Sequence, residues 1–327
     1  EADTVRARMK IQEIFRAGDV IAGARVALTH EKLRRFTQAV CGLPAFFAGT
    51  VMRSLPVQLG EQPGNPPQVA VSALVDFFRA YIGGVGSSGS TARVFGAFSK
   101  DITDVITPSD LQFLFECWVL SSTHDDLAVP RASAEARKIY VDSIVTNIFH
   151  TINRRVNMRI TYAEFSGSNL PNLLFDKKML TAPCDFDCFS VHEIDGLYAA
   201  TSDLRDQHET MNAEQCLQQL FANFGIACPA ERYSIVAEQL RKMKLDEQDA
   251  GTGRLHFYQY VHCFLYCRLL DDSPRGPEFW LSILDVNGDG YLDEFDVRVQ
   301  YEYKVQVLQQ RGEHRHQAQH DAATAWM

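Results

Sequence analysis

Residues 285–296 read Asp285-Val-Asn-Gly-Asp-Gly-Tyr-Leu-Asp-Glu-Phe-Asp296, and this stretch narrows the fold of the 327-residue chain more than any other. Side-chain oxygens recur at fixed places: Asp285 at position 1, Asn287 at 3, Asp289 at 5, Asp293 at 9 and Asp296 at 12. Gly290 stands at 6, where the backbone must turn sharply. Tyr291 offers a backbone carbonyl at 7, and Leu292 is apolar at 8. Oxygens at this spacing suit a hard divalent cation, which takes about six to eight of them. A chain with such a turn must place a helix on either side of it.

The pattern is that of an EF-hand loop. The candidate ligands are Asp285, Asn287, Asp289, Tyr291 (through its carbonyl), Asp293 and Asp296. Position 12 departs from the pattern, with Asp296 where glutamate usually supplies two oxygens. Aspartate is one methylene shorter, so it reaches with one oxygen or through a water. The expectation is one site for Ca²⁺ of modest affinity, with Mg²⁺ as the second candidate because it favours six-coordination. The competing reading, an Asp/Gly-rich turn that binds nothing, does not account for glycine, apolar residue and acids falling in register.

The loop ends on an apolar residue, then a short polar one, then a helix. That signature recurs at Leu255-His256, Met211-Asn212, Ile160-Thr161, Ile106-Thr107 and Val71-Ser72. The polar residue is a candidate helix N-cap, and apolar residues follow at helical spacing. Repetition of this kind marks one supersecondary unit copied several times. The fold class expected is therefore all-α: an elongated tandem of paired EF-hand and pseudo-EF-hand helix–loop–helix units. Spacing pairs Val71 with Ile106, Ile160 with Met211, and Leu255 with Leu292, because a lone hand leaves a strand edge unpaired.

The upstream loops have lost their ligands. Residues 248–259 offer Gln248, Ala250 and Thr252 at positions 1, 3 and 5, Gly253 at 6 and Gln259 at 12. Residues 153–164 offer Asn153, Arg155, Asn157 and Glu164, with a cation at position 3. The Met211 loop opens on Leu204, which has no side-chain oxygen, and the Ile106 loop has Asp104 in place of glycine. These are read as packing units without metal. Turn-rich breaks then suggest three domains: an N-terminal helical lobe over 1–125, a degenerate pair over 126–230, and a C-terminal pair with the intact loop over 231–327.

Hydrophobic residues make up 46% of the chain, enough for real cores, and the net charge is −9. That balance argues against nucleic acid and anionic membranes as partners, since both are bound by basic surface. No apolar run is long enough to span a bilayer, and the opening residues do not read as a secretory signal. Eight cysteines lie mostly in apolar surroundings and read as reduced thiols. No cysteine, histidine and carboxylate fall into a nucleophile motif, and no phosphate-cradling glycine loop occurs, so no catalytic residues are expected.

Three blocks resemble the B″ regulatory subunits of protein phosphatase 2A. The first is Glu278-Phe-Trp-Leu-Ser-Ile-Leu-Asp-Val-Asn-Gly-Asp-Gly-Tyr-Leu292 followed by Tyr301-Glu-Tyr303. The second joins Ile148-Phe-His-Thr-Ile-Asn-Arg154 to Arg159-Ile-Thr-Tyr-Ala-Glu-Phe165, and the third is Cys41-Gly-Leu-Pro-Ala-Phe-Phe47. The resemblance implies a non-catalytic regulatory subunit, with the phosphatase scaffold (A) and catalytic (C) subunits as partners. It also implies a first calcium loop over 201–215, where this chain has Leu204, Asp206 and His208 instead. The alternative function is a structural adaptor of the cytoskeleton, centrosome or basal body. The expected location is the cytoplasm, with those structures as alternatives.

Overall fold

The computed structural model describes residues 2–15, 25–56, 66–82, 90–98, 105–153, 157–175, 190–206, 210–226, 228, 230–245, 253–268, 276–302, 305 and 309. Helices dominate, and three of the four short strands run directly into one. The first part of the chain runs α1 (Ala2–Phe15), β1 (Arg25–Ala27), α2 (His30–Phe36), α3 (Ala48–Ser54), β2 (Gln68–Ala70), α4 (Val71–Phe77) and α5 (Ser90–Phe98). It continues with α6 (Pro108–Ser121), α7 (Ala128–Ala132), α8 (Ala134–Ile152), α9 (Tyr162–Ser166), α10 (Leu170–Phe175) and α11 (Val191–Ala200). Then come β3 (Thr210–Asn212), α12 (Ala213–Phe224), α13 (Ala230–Arg241), β4 (Arg254–His256), α14 (Phe257–Arg268) and α15 (Gly276–Leu284). A last helix covers 294–302. The chain folds as two compact units, Glu1–Asp195 and Gly196–Met327.

In the first unit β1 and β2 pair antiparallel, with Val26 opposite Val69. Phe36 of α2 sits between Phe15 of α1 and Phe77 of α4, ring centroids 6.5 Å apart in each case. A single antiparallel bridge joins Ile106 to Ile160, with reciprocal N–H···O bonds of 2.9 Å. Both isoleucines are fully buried, so this contact is apolar above and hydrogen-bonded below. Trp118 of α6 stacks on Tyr140 of α8, whose C-terminal half is almost wholly buried. In the second unit β3 and β4 pair antiparallel with Met211 opposite Leu255, both buried. Phe221 of α12 stacks on Tyr233 of α13, and Tyr266 of α14 stacks on Phe279 of α15 at 4.0 Å.

The mostly helical fold of paired helix–loop–helix units follows the expectation. The pairing does not: every partner expected from spacing is displaced by one hand. Val69, not Val71, lies in the strand, and its partner is Val26. Ile106 then pairs with Ile160, and Met211 with Leu255. The cause is an N-terminal unit, α1–β1–α2, that carries no ligand pattern and so goes unseen when the loop is the template. It takes the first partner and shifts the rest. The bridges at Ile106–Ile160 and Met211–Leu255 join residues on opposite sides of the 125/126 and 230/231 divisions. The turn-rich stretches 61–65, 83–89 and 273–275 lie outside the described residues.

Candidate metal centre

Helix α15 delivers the loop. Phe279 and Ile283 are buried and anchor it, and Asp285 N–H still bonds Leu281 C=O at 3.0 Å, so the loop leaves directly from the helix end. Gly288 and Gly290 then take φ +80° and +87°, left-handed values that glycine adopts at little cost. This turns position 6 as the sequence requires. The carboxylate of Asp285 organises the turn: Oδ1 accepts from the Gly288 N–H at 2.6 Å and the Asp289 N–H at 3.2 Å, and Oδ2 accepts from the Gly290 N–H at 2.9 Å. Asn287 Oδ1 accepts from the Asp289 N–H, and Asp289 Oδ1 from the Tyr291 N–H.

The far end of the loop is a helix cap. Asp293 Oδ1 accepts from the Phe295 and Asp296 N–H groups, and Asp296 Oδ2 accepts in return from the Asp293 N–H at 3.0 Å. This reciprocal pattern is a capping box. Asp296 Oδ1 also takes the Val286 N–H at 2.7 Å and so ties the loop's end to its beginning. The Asp293 amide above all, and the Val286 amide after it, hold the Asp296 carboxyl below the usual carboxylate range. Asp285 and Asp296 are buried, whereas Asn287, Asp289, Tyr291 and Asp293 face solvent.

The donor set fits a hard cation. Every candidate ligand is an oxygen, four of the six residues are carboxylates, and the glycine turn is formed. The side chains are turned onto the loop's own amides: among the described residues no three His, Cys, Asp or Glu side chains are gathered as metal ligands. Asn287 and the Tyr291 carbonyl lie outside such a set by their chemistry. Asp289 Oδ2 accepts from the Asn287 amide at 3.1 Å, so coordination exchanges weak internal hydrogen bonds for metal contacts. Both oxygens of Asp296 accept from backbone amides, Oδ1 from Val286 and Oδ2 from Asp293.

The degenerate hands show what replaces an ion. In residues 153–164, Asn153 at position 1 points its amide inward. Its Nδ2 donates to Asn157 Oδ1 at 3.2 Å and to the Arg159 carbonyl at 2.7 Å, which are positions 5 and 7. In residues 204–215, an arginine from the paired loop does the same. Arg254 Nη2 donates to Asp206 Oδ2 at 2.5 Å and to the Thr210 carbonyl at 3.0 Å, and its Nε donates to Thr210 Oγ1 at 2.6 Å. Asp206 and the Thr210 carbonyl are positions 3 and 7, so a guanidinium stands where a metal would. Positions 9 and 12 persist in the loops that end at Glu164 and Asp110 for a separate reason. Thr161 with Glu164 and Thr107 with Asp110 form capping boxes that need no metal.

Gly253 keeps its turn at φ +73°, while Gln248, Ala250, Thr252, Arg155 and Ser99 through Asp104 lie outside the described residues. The cysteines Cys41, Cys117, Cys216, Cys228, Cys263 and Cys267 are free thiols. Burial pushes Cys216 up to about 12, which holds it as a thiol. Two arginines escape a reading of the sequence, Arg254 and Arg232. The latter lies on α13 beside Asp285, with Nη2 4.0 Å from Oδ1. No local signal marks either arginine, since each reaches its loop from another element.

The EF-hand domain family matches residues 89–175, the segment that holds the Ile106–Ile160 pair. The human B″ alpha regulatory protein of protein phosphatase 2A is 23% identical over 193 residues, 58% of this chain and 16% of that protein. The probable B″delta regulatory protein of Arabidopsis thaliana is 18% identical over 304 residues, 92% of this chain and 53% of that protein. The mouse B″ delta counterpart is 22% identical over 244 residues, 72% of this chain and 43% of that protein. This chain thus spans about half, or less, of the length of these curated relatives. A chain of a solved PP2A PR70 holoenzyme, in a form designated diCa, matches with TM-score 0.50 and 19% identity over 69% of this chain and 80% of its own length. That match shows a shared fold.

Proposed function

We propose that this chain, a relative of the EF-hand-containing B″ regulatory subunits of protein phosphatase 2A, is itself a non-catalytic regulatory subunit of such a phosphatase. It binds the scaffold and catalytic subunits and sets which substrates the enzyme meets and where. The observation that carries the reading is the in-register loop 285–296 following two hands, 153–164 and 204–215, whose described ion positions are met by side-chain donors. Hands closed by side chains hold their shape without an ion, and the loop 285–296 is the ion-responsive joint in this reading. The proposed site is the cytoplasm.

The ion, Ca²⁺ in this reading, supplies concentrated positive charge at one point of the loop. Asp285, Asp289, Asp293 and Asp296 would hold it with Asn287 and the Tyr291 carbonyl. Asp285 sits at the end of an anchored helix, and Asp296 sits in the first turn of the helix over 294–302. Drawing these two carboxylates together fixes the angle between the helices. The exit helix presents Phe295, Val297 and Tyr301 to solvent, so that angle sets how an apolar face is offered to a partner.

Size-exclusion chromatography of the full chain with scaffold and catalytic subunits tests the reading. The chain is expected to co-elute with both, more completely in calcium than in chelator. Elution apart from both subunits under either condition, in a preparation that folds, would sink it.

A further inference from the structure

We propose that Arg232 is a resident cation of the ion loop: its guanidinium, delivered by α13, lies at the mouth of residues 285–296 and sets how tightly the loop takes a divalent ion. The inference rests on the calcium reading above.

Two independent distances place the group. Nη2 of Arg232 is 4.0 Å from Asp285 Oδ1. A Cβ added to Gly288 would fall 2.7 Å from the same Nη2. The guanidinium therefore lies against the bare Cα of loop position 4, and a side chain there would expel it. The Arg232 side chain is 17% exposed and that of Asp285 6%, so water and salt screen the pair less than they would a surface pair. Arginine cannot shed its charge. A divalent ion entering the loop must bring its charge beside a fixed positive one and must share or take the Asp285 carboxylate.

The rest of the unit supports this role for arginine. In the neighbouring loop, Arg254 spans positions 3 and 7 directly, and that loop has no competing set of carboxylates. At 285–296 the arginine stands farther off, at 4.0 Å, against four carboxylates. The first guanidinium is fixed and the second is displaceable. Binding an ion then releases Arg232 from the loop, and because Arg232 belongs to the first turn of α13, the exchange couples the last loop to the preceding hand. Coupling of this kind is reciprocal: whatever holds α13 against the loop weakens the ion, and the ion weakens that contact.

Calorimetric titration of CaCl₂ into the full chain tests this, comparing the unsubstituted protein with Arg232→Gln and Arg232→Lys. R232Q is expected to bind calcium about tenfold more tightly, a gain of about 1.4 kcal/mol, and R232K to stay within about twofold of the unsubstituted chain. A second measurement does not depend on the variants folding well. The Arg232 Nε–Hε resonance, followed by NMR during the same titration, should shift with the midpoint of ion binding. Equal or weaker affinity in R232Q with an unmoved resonance overturns the role of Arg232 and leaves the ion reading intact. Calcium bound by none of the three proteins overturns both. Binding detected only in R232Q supports the competition in its strongest form.

Discussion

Met158 takes φ +55° at position 6 of the degenerate loop 153–164, the position that glycine holds in the intact loop. A side chain in the left-handed region costs about 1–2 kcal/mol. The loop retains the conformation because Asn153 Oδ1 accepts from the Met158 N–H at 3.2 Å while its amide holds positions 5 and 7. A hydrogen-bonded asparagine thus keeps the turn that an ion would otherwise fix. Met158→Gly should relieve the strain and, after the greater chain entropy of glycine, stabilise the protein by about 0.5–1 kcal/mol. A urea midpoint that falls in M158G would mean the conformation is not strained. At this scale the turn at 285–296 was legible, because its glycines and its Asp293–Asp296 cap stand in a fixed order along the chain. Arg232, Arg254 and the inward turn of Asn153 were not, because each acts on atoms that only folding brings near.

Among the described elements α8 is the longest, and its buried face includes His150 near the C-terminal end. Burial lowers the His150 pKa from 6.5 to about 4, so the folded chain holds the imidazole neutral. The sign follows from linkage. Above pH 6.5 neither state is protonated at this site, and the stability is fully present. As pH falls below 6.5 the unfolded chain takes up the proton first, and stability is lost until the folded pKa near 4 is reached. The slope is about 1.4 kcal/mol per pH unit for one such group, so about 2 kcal/mol should disappear between pH 6.5 and 5. Denaturation at stepped pH, compared with His150→Gln, isolates the effect, and an identical slope in H150Q would assign the loss elsewhere. Hand boundaries downstream of Ile106 were legible at this scale, since an apolar residue followed by an N-cap is a local signal. Their pairing was not. It depends on how many hands precede, and Val26 on β1 belongs to a hand without the loop's ligand order and with Ala24 where the turn glycine would stand.

In the molecule as a whole, ion dependence is unevenly distributed. Unit Glu1–Asp195 closes the loop of its Ile160 hand with Asn153 and caps it with Thr161 and Glu164, neutral contacts or short-range ones that no chelator removes. Unit Gly196–Met327 holds the in-register loop and, among the described residues, two guanidinium groups beside ion positions. An ion that binds the folded form alone stabilises what it touches by about 2.7 kcal/mol at a hundred times its dissociation constant. Local opening reports such stabilisation where it occurs, amide by amide. Hydrogen exchange of the full chain in calcium against chelator should therefore show slower exchange over α15, the loop and 294–302. No gain is expected in α13, because ion binding releases the Arg232 contact that holds it to the loop. Amides of α8 and of the Ile106–Ile160 bridge should not change. Protection that rises equally in both units would mean the degenerate hands still respond to the ion, and that the side-chain donors at their ion positions are not substitutes for it. Protection that rises in the second unit alone would confine the ion response to the unit that holds 285–296 and leave the Ile160 hand to its side-chain contacts.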